Sequence, residues 1–232
     1  MSSSPHPPTR SLRLALIPLG IGLNMSLGTI VSMLKLPVYL DMIGTIVVTI
    51  LSGLWAGVLT ATLTQLIVSA TVNPIYYNFI PTAVAVALFT HIAARKGAFR
   101  TMGRTVLAGM AMGLVSGVVS APIIVYVFGG IVATGRSVMT AYLLSTGEQV
   151  LKAVLLTGAA AEPVDKVLQC VLSVWCINSV PKSLLQRFKE TGDHAVAITQ
   201  RAWVPATEGS QKTSQSIHPV ARGLATLIGI IG

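Results

Sequence analysis

The residues able to do chemistry gather in a few short stretches of an otherwise apolar chain. The first is LKLPVYLDMIGT, Leu34 to Thr45, which packs Lys35, Pro37, Tyr39 and Asp41 between two uncharged runs. Charge at that density is costly beside hydrocarbon, so such a cluster belongs where the backbone has left the lipid or lines a wet cavity. It reads as one wall of a ligand pocket, with an ordinary connecting loop as the competing reading. A second stretch, NPIYYNFIP, adds Asn73, Tyr76, Tyr77 and Asn78, and a third, from Tyr126 to Lys166, adds Tyr126, Arg136, Tyr142, Glu148 and Gln149. Tyrosine couples an apolar ring to one hydrogen-bonding tip, and beside amides and both signs of charge it suits a flat, partly polar organic ligand. An interfacial aromatic belt would use the same tyrosines to anchor helices at headgroup depth. The candidate ligand contacts are Lys35, Tyr39, Asp41, Asn73, Tyr76, Asn78, Tyr126, Arg136, Glu148 and Gln149.

Other chemistries lack their residues. No glycine-rich phosphate loop ending in Lys-Ser or Lys-Thr occurs, which excludes nucleotide hydrolysis by that route. Cys170 and Cys176 have no His or acidic partner at ligand spacing, so they read as small apolar side chains, and neither a metal nor a cofactor is expected. His91 lies far from the acids, no serine or cysteine gathers a catalytic set, and the chain is not expected to be an enzyme. No charged relay is expected at mid-membrane depth, which counts against an ion-coupled carrier.

These residues must be positioned by membrane helices. With 53% hydrophobic and 10% charged residues over 232 positions, the chain is far from the charged fraction of about a quarter usual in soluble domains. Most of residues 11–181 divides into apolar runs of about 18–25 residues, each able to cross a hydrocarbon core of about 30 Å. The expected fold is an all-α bundle of six transmembrane helices: a first span at 11–34, two spans dividing 42–72 at SGLWAGVLT, a fourth at 81–94, a fifth at 105–128 and a sixth at 164–180. Thr146 to Ala161 is expected as an outward interfacial helix, with Glu162, Pro163 and Asp165 opening the last span. The domains are a cytoplasmic segment at 1–10, the membrane domain at 11–189 and a disordered cytoplasmic tail at 190–232.

The net charge of +9 would suit nucleic acid, but its Lys and Arg residues lie at span ends without an aromatic-interleaved basic face, so positive-inside topology explains them and no nucleic-acid partner is expected. Arg10, Arg13, Arg95, Lys96, Arg100, Arg104, Lys182, Arg187 and Lys189 fall inside, against Lys35, Arg136, Lys152 and Lys166 outside. Both termini are then cytoplasmic in a multi-pass cell-membrane protein.

Small residues recur at four-residue spacing in Gly109, Gly113, Gly117 and Ala121, in Gly53, Gly57 and Ala61, and in Gly20, Asn24 and Gly28. Such stripes let helices approach closely, either within one bundle or against a separate membrane subunit. The last stripe is the candidate partner-docking face. Asn24 could equally hold two helices of the bundle together.

The order LPVYLDMIGT, SGLWAGVLT, a turn with NP, ARKGAF, a Gly-striped helix reaching SAPIIVYVFGG, and EPVDK resembles the substrate-specific S component of energy-coupling factor (ECF) importers, over about Leu14 to Lys189. The resemblance implies a six-helix bundle that captures a vitamin or similar micronutrient at the outer face, near Asp41, Asn73, Asn78 and Tyr126. It implies as partners a transmembrane T subunit and two cytoplasmic ATPases in a prokaryotic plasma membrane. Small-residue A-x-x-x-A motifs on the first helix often contact the T subunit; this chain has Gly20, Asn24 and Gly28 there instead. The alternatives are a sensory ligand-binding module and a stand-alone facilitator.

Overall fold

The computed structural model describes residues 9–34, 36, 38–130, 137–181 and 185. Every regular element among them is helical: α1 (Thr9–Met33), α2 (Ile43–Ser52), α3 (Leu54–Thr71), a 3-10 segment (Pro74–Phe79), α4 (Ile80–Arg95), α5 (Met102–Phe128), α6 (Ser137–Ser145) and α7 (Val150–Ser179). Four stretches are long and apolar enough to cross a bilayer, Arg13–Met33, Leu54–Thr71, Pro74–Arg95 and Met102–Phe128. Their outer faces carry exposed large apolar side chains, among them Leu19, Leu107 and Val118. Such faces suit lipid better than water.

The apolar stretch after Asp41 does divide in two. Gly53 sits at φ 88° and ψ −178°, a conformation that excludes a Cβ at little cost only in glycine, and it ends α2 while its N–H still bonds to the Thr49 carbonyl. The resulting α2 has 10 residues, about 15 Å at 1.5 Å per residue, half of a hydrocarbon core. It is buried on nearly all sides. Its Gly44 meets α1 so closely that a Cβ there would collide with the Gly20 carbonyl.

A correction concerns the last third of the chain. The expected interfacial helix and final span are one continuous helix, α7, of 30 residues, with Pro163 in its interior. Proline removes one backbone hydrogen bond and crowds the preceding turn, but membrane helices tolerate it where neighbours fill the defect. Here α5 supplies the fit. Gly113 lies against the Pro163 backbone, and Gly109 against Val167, so closely that a side chain at either would strike the α7 backbone. The Gly109, Gly113, Gly117 and Ala121 stripe is thus the seam between α5 and α7.

Two apolar clusters result. The larger joins α2, α4, α5 and α7 through Ile46, Ile50, Val86, Met112 and Val174, and is closed by Phe99 from the α4–α5 turn. The smaller holds Ala121, Ile124 and Val154 beside Ile75 and Phe79, whose ring stacks on Phe128 at 6.0 Å. Between them lies a polar gap.

A candidate ligand cavity

The polar gap is organised by α7, whose inward face presents Glu162, Asp165, Lys166 and Gln169 at helical spacings of three, four and seven. All four are buried, Lys166 at 4% exposure and Asp165 at 1%. Buried charge persists only when paired and hydrogen-bonded. Asp165 Oδ2 accepts from Lys166 Nζ at 2.6 Å and from Gln169 Nε2 at 2.8 Å, while its Oδ1 accepts from the backbone N–H groups of Tyr39 at 2.8 Å and Leu40 at 3.2 Å. Glu162 Oε2 stands 3.8 Å from Lys166 Nζ and accepts from Ser116 Oγ of α5 at 3.0 Å.

Asp165 therefore ties the loop before α2 to α7. That loop needs tying: Leu40 has φ 50°, which a side chain with a Cβ adopts at a cost. Held this way, the loop turns Tyr39 and Asp41 into a cavity of about 100 Å³. Tyr39, Asp41, Asn73, Tyr76, Gln65, Thr82, Ser116, Ser120, Glu162 and Lys166 supply its polar wall, and Met42, Ile75, Phe79, Val86 and Ile124 its apolar one. Asp41 Oδ1, Gln65 Oε1 and Thr82 Oγ1 are buried here without a hydrogen-bond partner among the described residues. Burial pushes the Asp41 carboxyl up to about 6, against the pull of the Lys166 ammonium and with a further push from the Asp165 carboxylate.

Of the candidate contacts, the structure brings together Tyr39, Asp41, Asn73 and Tyr76. It places four others elsewhere. Asn78 donates to the Ile75 carbonyl at 3.3 Å and does not line the cavity. Tyr126 stands on the outer surface of α5, 83% exposed, and Glu148 pairs with Lys152 at 2.8 Å on an exposed turn. Gln149 is exposed at the start of α7, beside a separate apolar groove with Leu151 and Leu155. Lys35 and Arg136 lie outside the described residues.

The Gly20, Asn24 and Gly28 face turns inward. Asn24 Nδ2 donates to Thr45 Oγ1 at 2.9 Å and to Thr64 Oγ1 at 3.2 Å, and its Oδ1 accepts from Gly44 N–H at 2.7 Å. Gly20 faces Val48 and Thr60, and Gly28 faces Asp41. The stripe packs α1 onto α2, α3 and the Asp41 loop.

Sequence reasoning missed Glu162, Lys166, Ser116, Ser120, Gln65 and Thr82 as cavity residues. Glu162 to Gln169 occupy the middle of α7, and Glu162 and Lys166 line the cavity together with Asp41. The signal was the polar stripe itself, four polar residues on one face of an apolar helix.

Among the described residues, the fold is helical throughout its regular elements, with membrane-length apolar helices and a partly open cavity that has a polar wall. Compared with protein-family profiles, curated proteins and solved structures, the chain matches none.

Proposed function

We propose that the chain is the substrate-capturing S component of an ECF-type importer, taking a vitamin or similar micronutrient from the outer face of a prokaryotic cell membrane. A T subunit and two cytoplasmic ATPases then energise delivery inward. The observation that carries the ligand-binding part is the cavity beneath the Asp41 loop, polar on one wall, apolar on the other, with three buried polar atoms unsatisfied. A fold leaves such groups unpaired at a cost of about 1–3 kcal/mol each, which a bound ligand would recover. The order of sequence motifs supports the transporter assignment. In this reading α1 to α5 and α7 form the six-helix bundle and both termini are cytoplasmic.

The test is to purify the full chain, denature it and identify released small molecules by mass spectrometry, then ask whether a membrane subunit and ATPases co-purify. A stoichiometric organic ligand together with those partners is the expected result. A ligand without partners would favour the sensory module.

The buried charges midway along α7 favour a second reading, a stand-alone carrier that cycles protonation at Asp41. Uptake into vesicles holding this chain alone would establish it over the first.

A further inference from the structure

The hydrogen-bonding ledger of the cavity is one-sided. Among the described residues, three carboxyl groups, Asp41, Glu162 and Asp165, meet one ammonium, Lys166. Lys166 is already committed to Asp165 at 2.6 Å, with Glu162 at 3.8 Å. Asp165 in turn is saturated by four N–H donors, two from the loop backbone and two from side chains. Among the described residues that line the cavity, the acceptors left over are Asp41 Oδ1 and Gln65 Oε1, the latter on a side chain 3% exposed, and the Thr82 hydroxyl lines the same cavity. Apart from the Thr82 hydroxyl, which can also donate, unused capacity at this site is thus capacity to accept hydrogen bonds, next to a carboxyl whose nearest ammonium is bonded to Asp165.

The walls decide between kinds of donor. A bare metal ion would want several oxygens converging on one point, whereas Phe79, Ile124 and Val86 line a volume of about 100 Å³ and the described residues contain no group of three or more metal-ligating side chains. The tyrosine rings of Tyr39 and Tyr76 also line it, and aromatic faces attract organic cations.

We infer that the ligand is a small organic monocation, an amine or amidinium on a planar or compact apolar body, whose N–H groups bond to Asp41 and Gln65. This rests on reading the cavity as the ligand site. It gives Asp41 the role of counter-ion and Gln65 that of a second, neutral acceptor, while the Glu162–Lys166–Asp165 set holds the wall in place. An anionic ligand of the same size would meet Asp41 unfavourably and find Lys166 occupied.

The experiment uses three probes of matched shape, benzamidine, benzyl alcohol and benzoate, titrated onto the purified full chain in detergent at pH 7.5, with binding read by thermal shift and by isothermal titration. Benzamidine is expected to bind, benzyl alcohol at least tenfold more weakly, and benzoate not at all. Asp41→Asn, whose own unfolding transition reports that it is folded, is expected to weaken benzamidine at least tenfold and leave benzyl alcohol unchanged. Binding of benzoate as tight as that of benzamidine, with either lost on Asp41→Asn, would leave the cavity as the ligand site and overturn the cationic preference. Benzamidine binding indifferent to Asp41→Asn would overturn the role of Asp41. No binding of any probe at 10 mM, on the order of the weakest useful affinities, would overturn both the inference and the reading of the cavity.

Discussion

Asp41→Asn should make the protein more stable and less able to bind. The carboxyl is pushed up to about 6 in the fold, from an ordinary 3.8, chiefly by burial. A folded-state value above the unfolded one means that the fold favours the protonated form, so stability is present at low pH and is lost as pH rises from about 4 through about 6. At 1.36 kcal/mol per pH unit, the full displacement corresponds to about 3 kcal/mol of destabilisation at pH 8. Asparagine keeps the shape and carries no charge, so it removes that penalty. The groups facing Asp41 are Lys166, Asp165 and Glu162 from α7, Gln65 from α3, Tyr76 from the 3-10 segment and Tyr39 from its own loop. They are present in both proteins and largely cancel in the comparison. Thermal unfolding followed by tryptophan fluorescence, at pH 5 and pH 8 in one detergent, should show Asp41→Asn melting higher than the native chain by several degrees at pH 8 and by about half as much at pH 5. A variant that melts lower at pH 8 would refute the reasoning. Asp41 would then be a structural partner of Lys166, and its burial would need no ligand to explain it.

Three further outcomes follow from the packing. Asp165→Ala removes the tether of the loop and leaves Lys166 short of its main partner; breaking a buried pair costs about 3–5 kcal/mol, so the yield of folded protein on size-exclusion chromatography should fall sharply, with Asp165→Asn intermediate. Gly113→Leu drives a side chain into the Pro163 backbone and should lower the melting temperature well beyond the few degrees expected of Gly103→Leu, where a Cβ meets nothing. Tyr126→Ala and Glu148→Ala, on exposed surfaces away from the cavity, should leave ligand affinity measured by titration within twofold of the native chain.

Much of the fold was legible where a local cause acts alone. Gly53 between apolar runs announces a break because its conformation is open to glycine, and Asn73 before Pro74 announces a turn because Asn73 caps it, accepting from Ile75 N–H at 3.0 Å. The Gly109 stripe announces close packing without saying against what. Sequence reasoning failed at Pro163 because the local rule for proline, a helix start, was overridden by a partner 50 residues earlier in the chain. No reading of α7 by itself could contain Gly113.

The same distinction explains the site. Tyr39, Asp41, Asn73 and Tyr76 were found because polar residues in turns of an apolar chain stand out, and Tyr126, Glu148 and Gln149 were chosen for that reason and lie elsewhere. Composition marks where polar groups are but not which way they face. For Glu162, Asp165, Lys166 and Gln169, facing is the informative property: a helix cannot place all four against lipid, so one face must turn to the bundle interior and draw a partner into it. That partner is the Asp41 loop, bonded through its backbone to Asp165. Among the described residues, the side chain of Asp41 is left with one carboxylate oxygen unbonded. A structural ion pair would have been completed inside the fold. An incomplete one, buried and bordered by an apolar wall, is the arrangement expected of a site whose last partner comes from solution.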